Sequence, residues 1–203
     1  MTVWRGVQPL ILASQSRVRR MLLANAGIEC EAVPADIDER AIQTQSGLRR
    51  PAEVAALLAL QKARAVAQKY PDRMVLGADQ TLALGDRLFD RPAGRLEAAA
   101  QLRALSGNTH ELHSAIALID HGEVLLDQGV SAARMTMRPL SDQAIENYLD
   151  AAGAAVTTSV GAYQLEALGV HLFERIEGDH FTILGLPLLR LLPILRDNGL
   201  IEI

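Results

Sequence analysis

Apolar residues along this chain fall into short continuous runs and helically spaced stretches, and the alternation predicts alternating strands and helices. Residues 10–13, Leu-Ile-Leu-Ala, form the first run, consistent with a buried strand. Helical spacing follows over residues 17–26, with Ser16 placed to cap that helix and Gly27 to end it. Residues 29–34 read as a second strand, and the polar stretch 36–50 as an ordered loop or a short helix. Pro51 suits the first turn of a long Ala-rich helix that reaches Tyr70. Residues 74–78 form a buried strand ending at Asp79, and Gly85-Asp86 turns a hairpin between short strands. Ala98, Leu102 and Leu105 mark another helix. Residues 112–119 and 124–137 read as a long hairpin turned at His121-Gly122. In its second arm Ala133, Met135 and Met137 alternate with Arg134, Thr136 and Arg138, the period of a strand. Ser141 caps a helix reaching Leu149, a strand lies near residues 170–176, and a final helix covers 188–196. The pattern describes a mixed α/β domain whose sheet is not purely parallel.

Composition narrows the function classes. A chain of 203 residues is one large domain or two intimately joined lobes, and no linker divides it. Hydrophobic residues at 49% can fill a sizeable core, while aromatics at 3% argue against a base-stacking nucleic-acid platform. The formal charge of −4 makes non-specific polyanion binding unfavourable, though a local basic cleft for a small anion remains open. The one cysteine, Cys30, excludes an internal disulfide and fits a reducing cytoplasm; it reads as a small core residue. No stretch approaches a bilayer span, and the N-terminus lacks a cleavage-site pattern, so a cytoplasmic protein is expected.

Several constellations could carry chemistry. In residues 10–20 a strand runs through Ser14-Gln15-Ser16 into a helix rich in arginine. Free N–H groups at that helix start, the Ser14 and Ser16 hydroxyls and the charges of Arg19 and Arg20 could hold a phosphate chain; the competing reading is an ordinary capped surface helix. Gly77-Ala78-Asp79 places a carboxylate at the end of a strand, where it could bind a divalent cation or act as a general base, or simply cap the turn. Asp36, Asp38 and Glu39 form an acidic cluster suited to Mg²⁺ or merely solvated. Lys62 matters only if its helix turns it into the same cleft. Small residues around Tyr163, and the segment 178–188, could line a flat base pocket or serve packing and turns. His110 and His113, three apart on a strand, face opposite sides and do not share a metal.

Taken in order, these motifs resemble the Maf family of nucleoside triphosphate pyrophosphatases over residues 10–199. The family's Leu-Ala-Ser-x-Ser-Pro-x-Arg segment is matched at Leu12, Ala13, Ser14, Ser16 and Arg19. Its Asp-Glu pair is matched at Asp38 and Glu39, its Lys-Ala at Lys62 and Ala63, and its Gly-Ala-Asp at residues 77–79. Leu105, Ser106, Gly107 and His110 match a fifth motif; Val160, Gly161, Ala162 and Tyr163 stand at a sixth; Gly178, Asp179 and residues 185–188 match the seventh. The resemblance implies hydrolysis of a nucleoside triphosphate to the monophosphate and pyrophosphate with a divalent metal, Mg²⁺ or Mn²⁺. It implies an elongated mixed-sheet α/β fold like that of inosine-triphosphate pyrophosphatases: one domain, residues 1–203, with two lobes around a central cleft. Asp79 is the implied base or metal ligand, Glu39 helps to hold the metal, and Lys62, Arg19 and the Ser14 region neutralise the triphosphate. A homodimer and a house-cleaning role in nucleotide metabolism are also implied.

The chain departs from the family pattern in ways that bear on substrate choice. Arg17 stands where Pro is usual, Arg91 replaces a Lys before Pro92, and Thr158 and Ser159 replace an Asp-Lys pair. Gln80 and Glu166 stand as they do in the branch resembling 7-methyl-GTP pyrophosphatases, but Val18 replaces that branch's Trp. A carboxylate at Glu166 can accept from N1–H and the exocyclic amine of guanine, so a guanine-type or modified base is expected. Substrate contacts are accordingly expected from Ser14, Ser16, Val18, Arg19, Gln80, Arg91, Tyr163 and Glu166. The competing function classes are a non-catalytic nucleotide-binding regulator linked to cell division and a nucleotidyl or phosphoryl transferase. Nucleic acid and membrane are not expected partners.

Overall fold

The computed structural model describes residues 3–203. Seven strands form one mixed sheet: β1 (Leu10–Leu12), β2 (Cys30–Ala32), β3 (Val75–Leu84), β4 (Arg87–Phe89), β5 (Thr109–Asp120), β6 (Val124–Met137) and β7 (Phe173–Glu177). Their order is β2-β1-β3-β5-β6-β7, with β4 on β3. β1 pairs in parallel with β2 and β3, whereas β4 runs antiparallel to β3 and β7 antiparallel to β6. The helices are α1 (Arg17–Asn25), α2 (Glu39–Ser46), α3 (Pro51–Ala67), α4 (Arg95–Leu105), α5 (Asp142–Ala152), α6 (His180–Ile183) and α7 (Leu188–Asp197).

The chain divides into two compact units, one of residues 3–80, 113–131 and 180–203, the other of residues 81–112 and 132–179. In the first unit, alternation along the strands sends successive side chains to opposite faces, and both faces are buried. Leu10, Leu12, Leu76, Ala78, Ile116 and Leu118 pack with Leu22 and Leu23 of α1 and Leu188, Leu191 and Leu195 of α7. Ile11, Ala13, Val75, Ala115, Ala117 and Ile119 pack with Ala55, Ala59, Ala63 and Val66 of α3. Two buried faces explain why β1 reads as an unbroken apolar run rather than an alternating one. Ser16 caps α1 by accepting from the Arg19 backbone N–H at 3.3 Å, and Pro51 opens α3.

The second unit holds α4, α5 and β7. Ser141 caps α5 by accepting from the Ala144 N–H at 3.2 Å. Arg95 pairs with Glu146 and Asp150, and Arg103 with Asp142, joining the exposed sides of α4 and α5. His110, Tyr163 and Phe173 stack in its interior, with ring centroids 4.8–5.9 Å apart.

Three sequence expectations are corrected. β3 does not end at Asp79 but continues to Leu84, because Asp79 and Gln80 find partners within the first unit and the apolar pattern resumes at Leu82 and Ala83. The hairpin at Gly85-Asp86 therefore joins one long and one short strand. The strand expected from residue 170 begins at Phe173, since residues Leu168–Leu172 form a 3₁₀ turn in which the Leu172 side chain is buried. The polar stretch 36–50, open between loop and helix, contains α2.

Candidate active site

The site is built on β3 and α3. Val75, Gly77 and Asp79 share one face of β3, the face against which α3 packs. Gly77 makes that packing close: a Cβ there would lie 2.0 Å from the Ala59 carbonyl oxygen and 2.8 Å from the Ala63 Cβ. With α3 pressed onto the strand, Lys62 reaches the next inward position. Its ammonium donates to Asp79 Oδ1 at 2.5 Å and pairs with Glu39 Oε1 at 2.8 Å. Lys62 and Asp79 are buried, whereas the Glu39 side chain is half exposed. Glu39 opens α2, and the cap of that helix is Asp38, which accepts from the Ala41 N–H at 2.9 Å. Of the acidic cluster, then, Glu39 faces Lys62, Asp38 caps the helix, and Asp36 is exposed.

Burial dominates the electrostatics of Asp79. Removal from water pushes its carboxyl above the ordinary carboxylate range, more than the Lys62 and Arg19 cations pull it back, and the Glu39 charge adds to the rise. A carboxylate with raised proton affinity, fixed next to a buried cation, is suited to taking a proton from a nearby water.

Arg19, expected to help neutralise the triphosphate, is tied here to the protein's own acceptors. It is buried; its Nε donates to the Gly185 carbonyl at 2.8 Å, and one Nη donates to the Ala78 carbonyl at 2.7 Å and the Ser14 hydroxyl at 3.1 Å. Ser14 also accepts from the Ser16 N–H at 3.2 Å, so both hydroxyls belong to the turn entering α1. Val18 is half-buried and packs on the apolar cluster beneath α1.

Gln80 faces the opposite side of the sheet from Asp79. Its amide nitrogen donates to the Ser114 hydroxyl at 2.9 Å and to the carbonyls of Thr182 and Ile183 at 3.1 and 3.0 Å. Ser114 itself donates to the Thr182 carbonyl at 2.7 Å. Ser114 and Thr182 were not singled out by the sequence reading. A signal existed for Ser114: it continues the inward phase of His110 and Leu112 along β5, where a polar residue needs a partner.

The remaining expected contacts lie in the second unit. Arg91 is exposed between β4 and α4, and Glu166 is exposed in the segment leading to β7. Tyr163 is buried, and its hydroxyl shares a 2.7 Å hydrogen bond with His110 Nε2. A Cβ on Gly161 would strike Leu82 Cδ1 and the Tyr163 ring. At Gly161, then, packing by itself requires a residue without a side chain.

As for a metal, no group of three or more His, Cys, Asp or Glu capable of holding one occurs among the described residues. Asp79 and Glu39, whose oxygens both approach the Lys62 ammonium, are the carboxylates that could hold a divalent cation there. Nor is any helix among the described residues long and apolar enough to cross a membrane.

Comparison with known proteins places this geometry in context. A family model described as Maf-like protein matches residues 9–198. A protein of Bradyrhizobium diazoefficiens named nucleoside triphosphate pyrophosphatase is 63% identical over 203 residues, covering 100% of both chains. One of the same name from Nitrobacter winogradskyi is 60% identical, again over 100% of both. A Rhizobium etli protein named 7-methyl-GTP pyrophosphatase is 52% identical over 195 residues, covering 95% of this chain and 98% of its own.

Proposed function

The chain belongs to the Maf-like protein family, and from that premise we propose that it hydrolyses a nucleoside triphosphate to the monophosphate and pyrophosphate. The observation that carries this reading is the Asp79–Lys62–Glu39 cluster, two carboxylates meeting on one buried ammonium. Water must attack the α-phosphorus and lose a proton. Asp79 accepts that proton, its burial having raised its affinity for it. Lys62 holds the carboxylate in place and offsets negative charge as pyrophosphate leaves. A divalent cation fits the donor set: Asp79 and Glu39 would hold it, and it would supply charge neutralisation at the phosphates. Names of full-length relatives support the reaction class, and the name of the Rhizobium etli relative supports a guanine-type or modified base. The exposed Glu166 carboxylate is the proposed acceptor for N1–H and the exocyclic amine of such a base.

Chromatographic product analysis tests both levels. Purified protein is incubated with Mg²⁺ or Mn²⁺ and a panel of nucleoside triphosphates. Monophosphate plus pyrophosphate is the expected outcome; diphosphate plus phosphate, or no turnover, overturns the reaction class. Faster turnover of GTP or 7-methyl-GTP than of UTP or dTTP is expected. The reverse order overturns the assignment of the base and leaves the reaction class standing.

A further inference from the structure

Within the second unit, the exposed Glu166 carboxylate sits on a turn whose entry is strained. Gly161 and Ala162 both have positive φ, +76° and +62°, and Ala162 is a buried residue with a side chain, for which that region is uncommon. Such a conformation persists only where its surroundings over-determine it. The Ala162 carbonyl accepts from the Tyr148 hydroxyl of α5 at 3.3 Å, and its N–H donates to the Ser159 carbonyl at 3.4 Å. Tyr163, next in the chain, is extended and anchored by its hydrogen bond to His110. A β-turn follows: the Gln164 carbonyl accepts from the N–H groups of Ala167 at 3.2 Å and Gly169 at 3.1 Å, which makes Glu166 the third residue of the turn. The Gln164 side chain donates to the Thr158 hydroxyl at 2.9 Å, and that hydroxyl donates to the Ala155 carbonyl at 2.8 Å.

We propose that Tyr148 and Thr158 are positioning residues that hold the turn at 164–167, and through it the place of the Glu166 carboxylate, so that both hydroxyls set base preference by way of Glu166. This rests on the reading of Glu166 as the acceptor for the base. A carboxylate on an exposed turn can meet two donors on one base edge only if its backbone is fixed beforehand; otherwise the ordering cost is met on binding. Tyr148 acts before the turn, on the strained Ala162, and Thr158 acts on the residue that opens it. The Tyr148 hydroxyl also feels the segment directly: burial pushes its pKa up to about 12, the Gln164 backbone works against that rise, and the Glu166 charge adds to it. Thr158 stands where the family pattern has Asp. A carboxylate there could accept from Gln164 but could not donate to Ala155, whereas the Thr hydroxyl does both.

The test uses the full chain and four variants: Tyr148→Phe and Thr158→Val, which remove one hydroxyl each and keep the shape, Glu166→Gln, and Tyr148→Phe combined with Glu166→Gln. Two readouts are taken: kcat and KM for GTP and UTP by pyrophosphate release, and hydrogen exchange of peptides covering 158–169 without nucleotide. In Tyr148→Phe the preference for GTP over UTP should fall about three- to ten-fold, through a raised KM for GTP, with kcat for UTP changed less than about two-fold. Thr158→Val should shift the preference the same way by less, because its hydrogen bond is exposed. The combined variant should lose no more preference than Glu166→Gln alone. Exchange over 158–169 should accelerate in both hydroxyl variants. An equal loss for GTP and UTP would reduce the hydroxyls to general support of the fold and overturn the proposal. So would additive losses in the combined variant, which would mean that Tyr148 acts independently of Glu166. If Glu166→Gln leaves the preference unchanged, or the unmodified chain releases no pyrophosphate, the underlying reading fails by itself. The exchange arm then decides the hold on the turn: acceleration in both hydroxyl variants supports it, and unchanged exchange overturns it.

Discussion

Lys62 and Asp79 meet at 2.5 Å with both side chains almost withdrawn from water. Neither would be placed there for stability alone, since an ion pair removed from solvent regains little more than it loses by desolvation. The half-exposed Glu39 adds a second carboxylate to the same ammonium. An excess of negative charge around one buried cation is an arrangement that a polyphosphate with its counter-cation can complete.

Replacing Asp79 with Asn keeps the shape of the side chain and removes the proposed proton acceptor. Turnover should fall by about 10²–10⁴-fold, the usual contribution of a positioned general base. Nucleotide binding, measured by calorimetry, should persist. An Asp79→Asn protein with unimpaired turnover would remove Asp79 from the chemistry.

Lys62 is the largest of the influences holding the Asp79 carboxyl down against burial. In Lys62→Met that influence is gone, and Asp79 takes up its proton at higher pH. The acidic limb of kcat/KM against pH should therefore move to higher pH, in addition to any loss at the plateau. Profiles of the two proteins across the acidic range check the direction. A limb that stays in place would show that Asp79 does not set it.

Gly77→Ala tests how the cluster is assembled. The added methyl would approach the Ala59 carbonyl oxygen to 2.0 Å, and neither β3 nor α3 has a flexible side chain there that could yield. Overpacking of this kind costs about 1–3 kcal/mol. In a chain of this size, that lowers Tm by roughly 2–4 °C for each kcal/mol. Because the helix that must move carries Lys62, activity should fall further than Tm alone accounts for. Thermal unfolding and kcat, measured on the same preparation, check both.

Local signals made much of the fold legible. Ser16 and Ser141 cap helices as their positions predict, Pro51 opens α3, and the alternation at residues 133–137 is a strand. What was not legible depends on distant partners. The polar triplet Asp79-Gln80-Thr81 looks like a strand end because it interrupts an apolar run. In the fold it stays in β3 because Lys62, 17 residues away, and Ser114 and Thr182, 34 and 102 away, supply partners. The pairing of Arg19 is hidden for the same reason: its acceptors Ala78 and Gly185 lie 59 and 166 residues along the chain. Pattern and period report faces and ends; they carry no information about which buried polar group will meet which.

His110 offers a pH test separate from the active-site cluster. The ring is fully buried, Nε2 is bonded to Tyr163, and Nδ1 has no hydrogen-bond partner among the described residues. Burial lowers its pKa from 6.5 to about 4, so the folded chain keeps the imidazole neutral where an unfolded chain would protonate it. Between those two values the unfolded state binds more protons, and stability rises with pH. The contribution is present in full above pH 6.5 and disappears as pH falls through about 4. Its size is about 3 kcal/mol, the free-energy equivalent of that displacement. Other groups titrate in the same window, so the informative quantity is a difference. Tm of the unmodified chain should drop more steeply from pH 6.5 to 4 than Tm of His110→Phe, which fills the space and cannot take a proton. Parallel curves would mean that the imidazole is protonated in the folded chain or is not withdrawn from water.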